Sequence, residues 1–397
     1  MEIDHQRRET ARNARRRLVA HLRAGGATDL AESCMAQDAT VYTDPVRHER
    51  ERVAIFGQWP LVAGLSQDLP RPGDILVFEE MGRSILLVRD NDGVARGYLN
   101  MCAHRGARLV ETQQHGLRLH RSRIVCPFHA WCYDLDGSLV AAPGADGFGA
   151  STLASRKLHQ VAVQEWNGLL LVTSDGQPAA HERFASIAGP VAELRLKNLR
   201  HVQTSTVEAA CNWKLAVDTY AENYHFGALH GASIGDAYIS NVAAFDAFAP
   251  HWRVFFPERS LEALVGLSEQ DWPEPAFKSV MFLFPNTVLV AGVVGQTGMM
   301  LRIYRIFPGR DVGSSVCRMS VYTDADPASL HESVFVDEST SVVTVEDYRV
   351  AEGAQANLAA APTGATVLYG RNEPGVQAFH AAIADALGEP GPVQLPD

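Results

Sequence analysis

Cys102-Ala103-His104-Arg105-Gly106 and Cys126-Pro127-Phe128-His129-Ala130-Trp131 read C-x-H, a gap of 21 residues, then C-x-x-H. Each stretch carries one thiol and one imidazole. A Rieske [2Fe–2S] centre needs this mixture, because two thiolates bind one iron and two imidazoles bind the other. Replacing two thiolates with neutral imidazoles removes negative charge from the cluster and raises its reduction potential. A structural zinc site uses the same donors, but its usual spacing is C-x₂₋₄-C followed by H-x₃₋₅-H. Neither pair has that spacing.

Strand signals flank both stretches. Ile75 to Glu79 and Ser84 to Arg89 read as strands, Asn91-Asp92-Gly93 is a hairpin turn, and Ala95 to Asn100 returns toward Cys102. Arg121 to Val125 leads to Cys126, and Trp131 to Asp134 resumes as a strand. An antiparallel β domain holding a cluster between two loop tips follows. Trp131 reads either as a shield over the cluster or as an ordinary core tryptophan.

A second group of metal-type donors lies about a hundred residues further on, in Asn212-Trp213-Lys214-Leu215-Ala216-Val217-Asp218-Thr219-Tyr220-Ala221-Glu222-Asn223-Tyr224-His225, continuing to His230 and Gly231. Two histidines plus one carboxylate form the facial triad of non-haem Fe(II) sites. His225 and His230 are five apart, roughly 140° around a regular helix. A single ion therefore requires the helix to end or distort between them, and Gly227 and Gly231 offer the freedom. Read by themselves, the two histidines are equally at home satisfied on an ordinary helix.

Together these motifs resemble the catalytic α subunit of the Rieske non-haem iron oxygenases, the aromatic-ring-hydroxylating oxygenase family, from about Val41 to about Leu358. The resemblance implies that Cys102, His104, Cys126 and His129 hold the [2Fe–2S] cluster and that His225 and His230 hold a mononuclear Fe(II). Glu346-Asp347-Tyr348-Arg349-Val350-Ala351-Glu352-Gly353-Ala354-Gln355 looks like the family's late E-D-x-x-x-x-E-x-x-Q segment, which makes Asp347 the third iron ligand, with Glu346 as the alternative. From the bare residues, Glu346-Asp347 reads as an acidic helix start.

Glu222 matches the carboxylate that, in the family's trimers, bridges an iron histidine of one subunit and a cluster histidine of the next; here these would be His225 and His129 of a neighbouring chain. Aspartate is commoner at this place, and glutamate resembles the branch that oxidises quaternary ammonium compounds such as carnitine. Asp218 reads either as a carboxylate supporting the iron site or as a helix-surface acid. The implied activity is a terminal oxygenase using O₂, with electrons passing from NAD(P)H through a separate reductase or ferredoxin, since the chain has no Gly-rich nucleotide loop. The first expectation for the substrate is an aromatic or other hydrophobic ring compound. The alternative is hydroxylation or demethylation of a carnitine- or betaine-like molecule. A homotrimer (α3), with or without a small β subunit, is implied.

The 397 residues suffice for two domains with full cores. The fold expected is α+β: an N-terminal helical arm at 1–44 packed with the catalytic domain, an antiparallel β Rieske domain at 45–175, and a catalytic domain at 184–397 with an antiparallel sheet flanked by helices. The polar stretch from Ser174 to Glu182 is the expected linker, and Ala232 to Pro275 reads as loop-rich. Phe282, Phe284, Met299 and Met300 read either as pocket lining or as core. With 35 basic and 46 acidic residues, the net charge of −11 argues against nucleic-acid binding. The basic helix Thr10 to Arg23 reads as a solvated face or an arm on a neighbouring subunit. No apolar run approaches ~18 residues, so no membrane span is expected. Met1 to Leu18 lacks the apolar core of a secretory signal. Cys34, Cys132, Cys211 and Cys317 show no disulfide framework, which points to a reducing cytoplasm.

Overall fold

The computed structural model describes residues 2–112, 116–173, 180–295, 298–326 and 342–396. The chain is α+β and divides into two compact units: Met1–Phe56 with Phe184–Leu194 and Ser205–Asp397, and Gly57–Arg183 with Arg195–Thr204. Residues 45–56, expected with the β domain, belong to the other unit. Glu51, at the heart of Pro45–Ala54, is fully buried there beside Lys214, and Phe56 packs edge-on to Trp213 at 5.0 Å. Most of the expected linker lies outside the described residues. Among the described residues no helix is long and apolar enough to cross a membrane.

The smaller unit is antiparallel β. One sheet runs in the order Gln160–Val161, Ala95–Leu99, Arg83–Arg89, Asp74–Glu80, Arg118–His120. A second joins Val163–Trp166, Leu169–Val172 and Leu61–Leu65. A third, of Ile124–Val125, Cys132–Tyr133 and Leu139–Ala141, carries the second motif at its first turn. Ile75, Val77, Leu86, Val88, Tyr98, Trp131 and Tyr133 form one core, and Cys102 and Cys126 sit in its wall. The four strand residues Ile75, Val77, Leu86 and Val88 recur at period two, as one buried face demands.

The larger unit is built on a seven-stranded sheet ordered Arg200–Ala209, Ser315–Thr323, Gly298–Pro308, Thr287–Val294, Ser279–Leu283, His251–Phe255, Ala244–Phe248. The last two strands form a hairpin inside the stretch read as loop-rich. Its sequence, with Asp246, His251 and Arg253 among aromatics, hides the alternation because the polar groups are paired: Arg253 donates to Glu193 at 2.9 Å and to Asp246 at 2.9 Å. Phe282 and Phe284 are fully buried, so they are core rather than pocket lining. Phe282 lies 5.1 Å from Phe379 on the helix Pro374–Leu387, and Phe379 lies 5.6 Å from Trp213. That stack seats the segment carrying the iron-type donors on the sheet.

The basic N-terminal helix spans Glu2–Arg23 and lies on its own unit. Ala14 and Leu18 pack with Val242, Ala244 and Phe255, while Arg12 pairs with Glu274 and Arg17 with Asp246. Arg12 and Arg17 therefore answer acids of the same chain.

Candidate metal centres

In the smaller unit each motif folds back on its own cysteine. Cys102 N–H donates to Ala107 O and Gly106 N–H to Cys102 O; Cys126 N–H donates to Trp131 O and Ala130 N–H to Cys126 O. Gly106 takes φ of 75°, a conformation open mainly to glycine. The two turns bring Cys102 and Cys126 into contact as neighbouring buried thiols. Tyr133 Oη lies 3.1 Å from Cys102 Sγ. The imidazoles of His104 and His129 lie 4.8 Å apart, and Trp131 stacks on His104 at 4.6 Å and 6°. Trp131, 2 % exposed, thus belongs to both the core and the site.

Burial pushes the Cys102 thiol up, with Cys126 adding to the effect. Burial, then neighbouring His129, lowers His104, which favours the uncharged ring that a ligand needs. His129 Nδ1 is buried without a hydrogen-bond partner. Two adjoining thiols and two adjoining imidazoles are the donor set of a Rieske cluster, so the residues present fit that group.

In the larger unit the helix starting at Trp213 ends at Asp218, well before His225. Asn212 caps it, its side chain accepting from Lys214 N–H, while its own N–H donates to Gln355 Oε1 at 2.9 Å. Ala210 N–H donates to Glu352 Oε1 at 2.9 Å. The glutamate and glutamine of the late acidic segment therefore hold the start of the iron segment, a link across 140 residues that spacing does not show. The distortion expected at Gly227 and Gly231 falls earlier, over 219–225. Neither glycine has positive φ, and a one-turn helix, Phe226–Leu229, stands between the two histidines. Gly235 is the demanding glycine: a Cβ there would sit 2.7 Å from His230 O.

His225 and His230 flank that turn, their rings 5.0 Å apart at 69°. Asp347 ends a π-helical turn, Val343–Asp347, ahead of the helix Tyr348–Ala359. Its Oδ1 lies 3.2 Å from His225 Nε2 and 3.3 Å from His230 Nε2. The three ligand-type atoms all fall within 4.8 Å of one another. His225 Nε2 is buried and lacks a well-aligned hydrogen bond. On the far side of each ring a carboxylate accepts from Nδ1–H, Glu222 for His225 and Glu346 for His230, and Ser233 Oγ donates to Glu346 at 2.8 Å. Because a carboxylate can only accept, both rings are fixed with Nε2 toward Asp347.

Burial disfavours charge on His225, yet Asp347 and Glu222 together pull it up to about 9; His230 is raised in the same way. Burial works against ionised Asp347 too, and the two histidines more than offset it. A pocket that drives two imidazoles toward the cationic form is a pocket in need of a cation. A divalent ion meets that need without the protons, so these residues fit a mononuclear iron.

Asp218 stands apart from this centre. Tyr42 Oη donates to it at 2.7 Å and His380 Nε2 lies 3.0 Å away, so it joins the helix Pro374–Leu387 to the iron segment and touches neither His225 nor His230. Two residues escaped the sequence reading. Asn223 Nδ2 donates to Ile239 O and Val242 O, both at 2.9 Å, pinning the turn before His225. Tyr220 Oη lies 3.0 Å from Tyr348 Oη, tying the histidine segment to the residue after Asp347. Neither carries a sequence signal beyond its residue type.

A Rieske-type β unit and a His₂–carboxylate unit in one chain define an iron-dependent oxidoreductase with two metal centres. The Rieske [2Fe-2S] domain family matches residues 58–155, and the ring hydroxylating alpha subunit catalytic domain family matches residues 196–389. The chain belongs to the Rieske non-haem iron oxygenases, as a catalytic oxygenase subunit; the cofactors of that class are a [2Fe–2S] cluster and a mononuclear iron, with O₂ as co-substrate.

It is 27 % identical over 329 residues to the carnitine monooxygenase oxygenase subunit of Escherichia coli K12, covering 81 % of this chain and 83 % of that one. It is 33 % identical over 190 residues to the glycine betaine monooxygenase oxygenase subunit of Chromohalobacter salexigens, covering 48 % of this chain and 42 % of that one, less than half its length. The structure of the quaternary ammonium Rieske monooxygenase CntA with L-carnitine superposes with a TM-score of 0.73 at 20 % identity, over 90 % of this chain and 96 % of that one, which shows a shared fold.

Proposed function

We propose that this chain is the terminal oxygenase of a multicomponent system that oxidises a small quaternary ammonium or related methylated compound. The observation that carries the oxygenase reading is the convergence of His225 Nε2, His230 Nε2 and Asp347 Oδ1. Cys102 and Cys126 would bind one iron of the cluster and His104 and His129 the other. The cluster supplies single electrons and the mononuclear iron supplies O₂ activation.

The protein's own groups position this chemistry. Glu222, Glu346 and Ser233 hold the two imidazoles, which fixes their tautomers and raises their basicity. Tyr220 and Tyr348 hold the two ligand-bearing segments together. Within an α3 assembly, Glu222 is proposed to accept also from His129 of a neighbouring chain, giving a short route from cluster to iron. Electrons would come from NAD(P)H through a separate reductase or ferredoxin, in the reducing cytoplasm.

The substrate class rests on the two named relatives and on glutamate at position 222. Carnitine and glycine betaine both pair a trimethylammonium group with a carboxylate. The aromatic-ring expectation becomes the second choice. Aerobic turnover with a surrogate reductase, on trimethylammonium compounds, aromatic acids and neutral aromatics, tests this. Product from the first group alone is expected, and product from aromatics alone would reverse the assignment.

A further inference from the structure

The sheet of the larger unit has one face whose packing can be followed residue by residue. Along Gly298–Pro308 the side chains alternate, so Met300, Arg302 and Tyr304 share a face opposite Met299, Leu301 and Ile303. Tyr304 fixes which face that is: its ring lies 4.9 Å from Tyr220, whose hydroxyl meets Tyr348 beside Asp347. Arg302 therefore projects on the side of the sheet that carries the iron-type donors. Its register neighbours are Val290 and Val321, which offer it nothing polar.

Phe226 packs against that donor group. Its ring stands edge-on to His225 at 5.0 Å and to His230 at 5.4 Å. Tyr238 and Phe256 pack edge-on to Phe226 at 5.9 and 5.5 Å. The phenol of Tyr238 is raised by burial; Glu258 acts in the same sense, while Lys278 and Arg302 act against it. Glu258 and Lys278 form an ion pair with each other. Arg302, half-buried, makes no ion pair or hydrogen bond among the described residues. A half-buried arginine beside two valines, with no partner for its fork among the described residues, is poised for a bidentate anion.

We propose that Arg302 is the anchor for the carboxylate of the substrate, orienting a zwitterion so that its onium end lies along Phe226 toward His225 and His230. This rests on the quaternary ammonium reading above and narrows it to ligands that also carry an anionic group. The aromatic edge of the site suits the other end, since a quaternary ammonium binds favourably against aromatic rings. Arg302 is a specificity residue: it selects and orients, and the metal ligands are left untouched.

The test is calorimetric binding to the anaerobic holoenzyme of two matched ligands, 4-(trimethylammonio)butanoate and 4-(trimethylammonio)-1-butanol, which differ only in the carboxylate. The wild type is expected to prefer the carboxylate by about 10- to 100-fold, the range of a hydrogen bond to a charged partner. Arg302→Gln should abolish that preference and leave the alcohol's affinity within about twofold, with cluster absorbance unchanged. Arg302→Lys keeps the charge without the fork and should retain part of the preference. It also serves if the glutamine variant fails to fold.

An Arg302→Gln protein that still prefers the carboxylate by the wild-type factor overturns the proposal. Binding of neither ligand by the wild type, together with Arg302-dependent binding of benzoate, overturns the quaternary ammonium reading while leaving Arg302 as an anion anchor. Tight binding of the alcohol with no gain from the carboxylate keeps the quaternary ammonium reading and removes the anchor.

Discussion

Glu346 accepts a hydrogen bond from His230 Nδ1, while Asp347 approaches the other ring nitrogen, Nε2. Two adjacent acids thus grip one imidazole from both sides, which is possible because they lie in a π-helical turn. Such single-turn π segments recur at functional sites because they re-aim neighbouring side chains.

The two acids are expected to differ on substitution. Asp347→Ala should lose the mononuclear iron altogether, while Glu346→Gln should bind it about 10–100-fold more weakly. Metal analysis beside the cluster's visible spectrum separates them: both variants should keep the cluster, which sits in the other unit. Full iron in Asp347→Ala would move the ligand role to Glu346.

Purified protein is expected to be red-brown, with about two cluster irons and one further iron per chain. Cys102→Ser and His129→Ala should each bleach the cluster absorbance and leave the third iron in place. A colourless protein holding zinc would refute the cluster assignment.

Glu222→Gln keeps the side chain's size and removes its charge. Cluster reduction should proceed normally, while product formation falls by about 100-fold. Mixed assemblies of Glu222→Gln and Cys102→Ser chains, verified by tag pull-down, should regain activity if electrons cross between chains. Inactive mixtures would favour a route within one chain.

Glu51 is fully buried between Lys214 Nζ at 2.6 Å and Trp213 Nε1 at 2.8 Å. Glu51→Ala strands a buried ammonium and an indole N–H together, a loss of about 3–5 kcal/mol. Scanning calorimetry should show the larger unit melting well below the wild type. A change within ~1 °C would show that Lys214 finds water or another partner.

Asp29 ties the N-terminal helix to the sheet through Arg17, His21 and Phe245 N–H. Burial alone would raise its carboxyl, but these three partners carry it below the usual aspartate value of 3.8. A depressed carboxyl stabilises the fold above its unfolded value, and that contribution is lost as pH falls through the depressed one. The melting temperature of the wild type should therefore fall more steeply below pH 4 than that of Asp29→Asn. Equal slopes would remove Asp29 from the account.

The sequence by itself determined the donor types, because ligand chemistry is written in residue identity and short spacing. Cys102/His104 and Cys126/His129 are legible because each pair lies within one turn, where spacing dictates geometry. The α+β class and most strands near the cluster followed from period-two patterns and the Asn91-Asp92-Gly93 turn. Residues far apart in sequence were another matter. That Asp347 faces both Nε2 atoms while Glu346 takes the opposite side of His230 depends on a π turn and on Tyr220 meeting Tyr348, contacts across more than a hundred residues. Asp218, seven residues before His225, was open between a carboxylate supporting the iron site and a helix-surface acid. The helix ends at that residue, and its carboxylate turns to Tyr42 and His380 instead. The hairpin Ala244–Phe248 and His251–Phe255 was hidden because its charged side chains are neutralised by partners that only the fold supplies. Phe282 and Phe284 were undecided between pocket and core until Phe379 and Trp252 packed on Phe282. Local chemistry sets what a residue can do, and the tertiary structure sets which partner it meets, since burial and pairing belong to the packed chain.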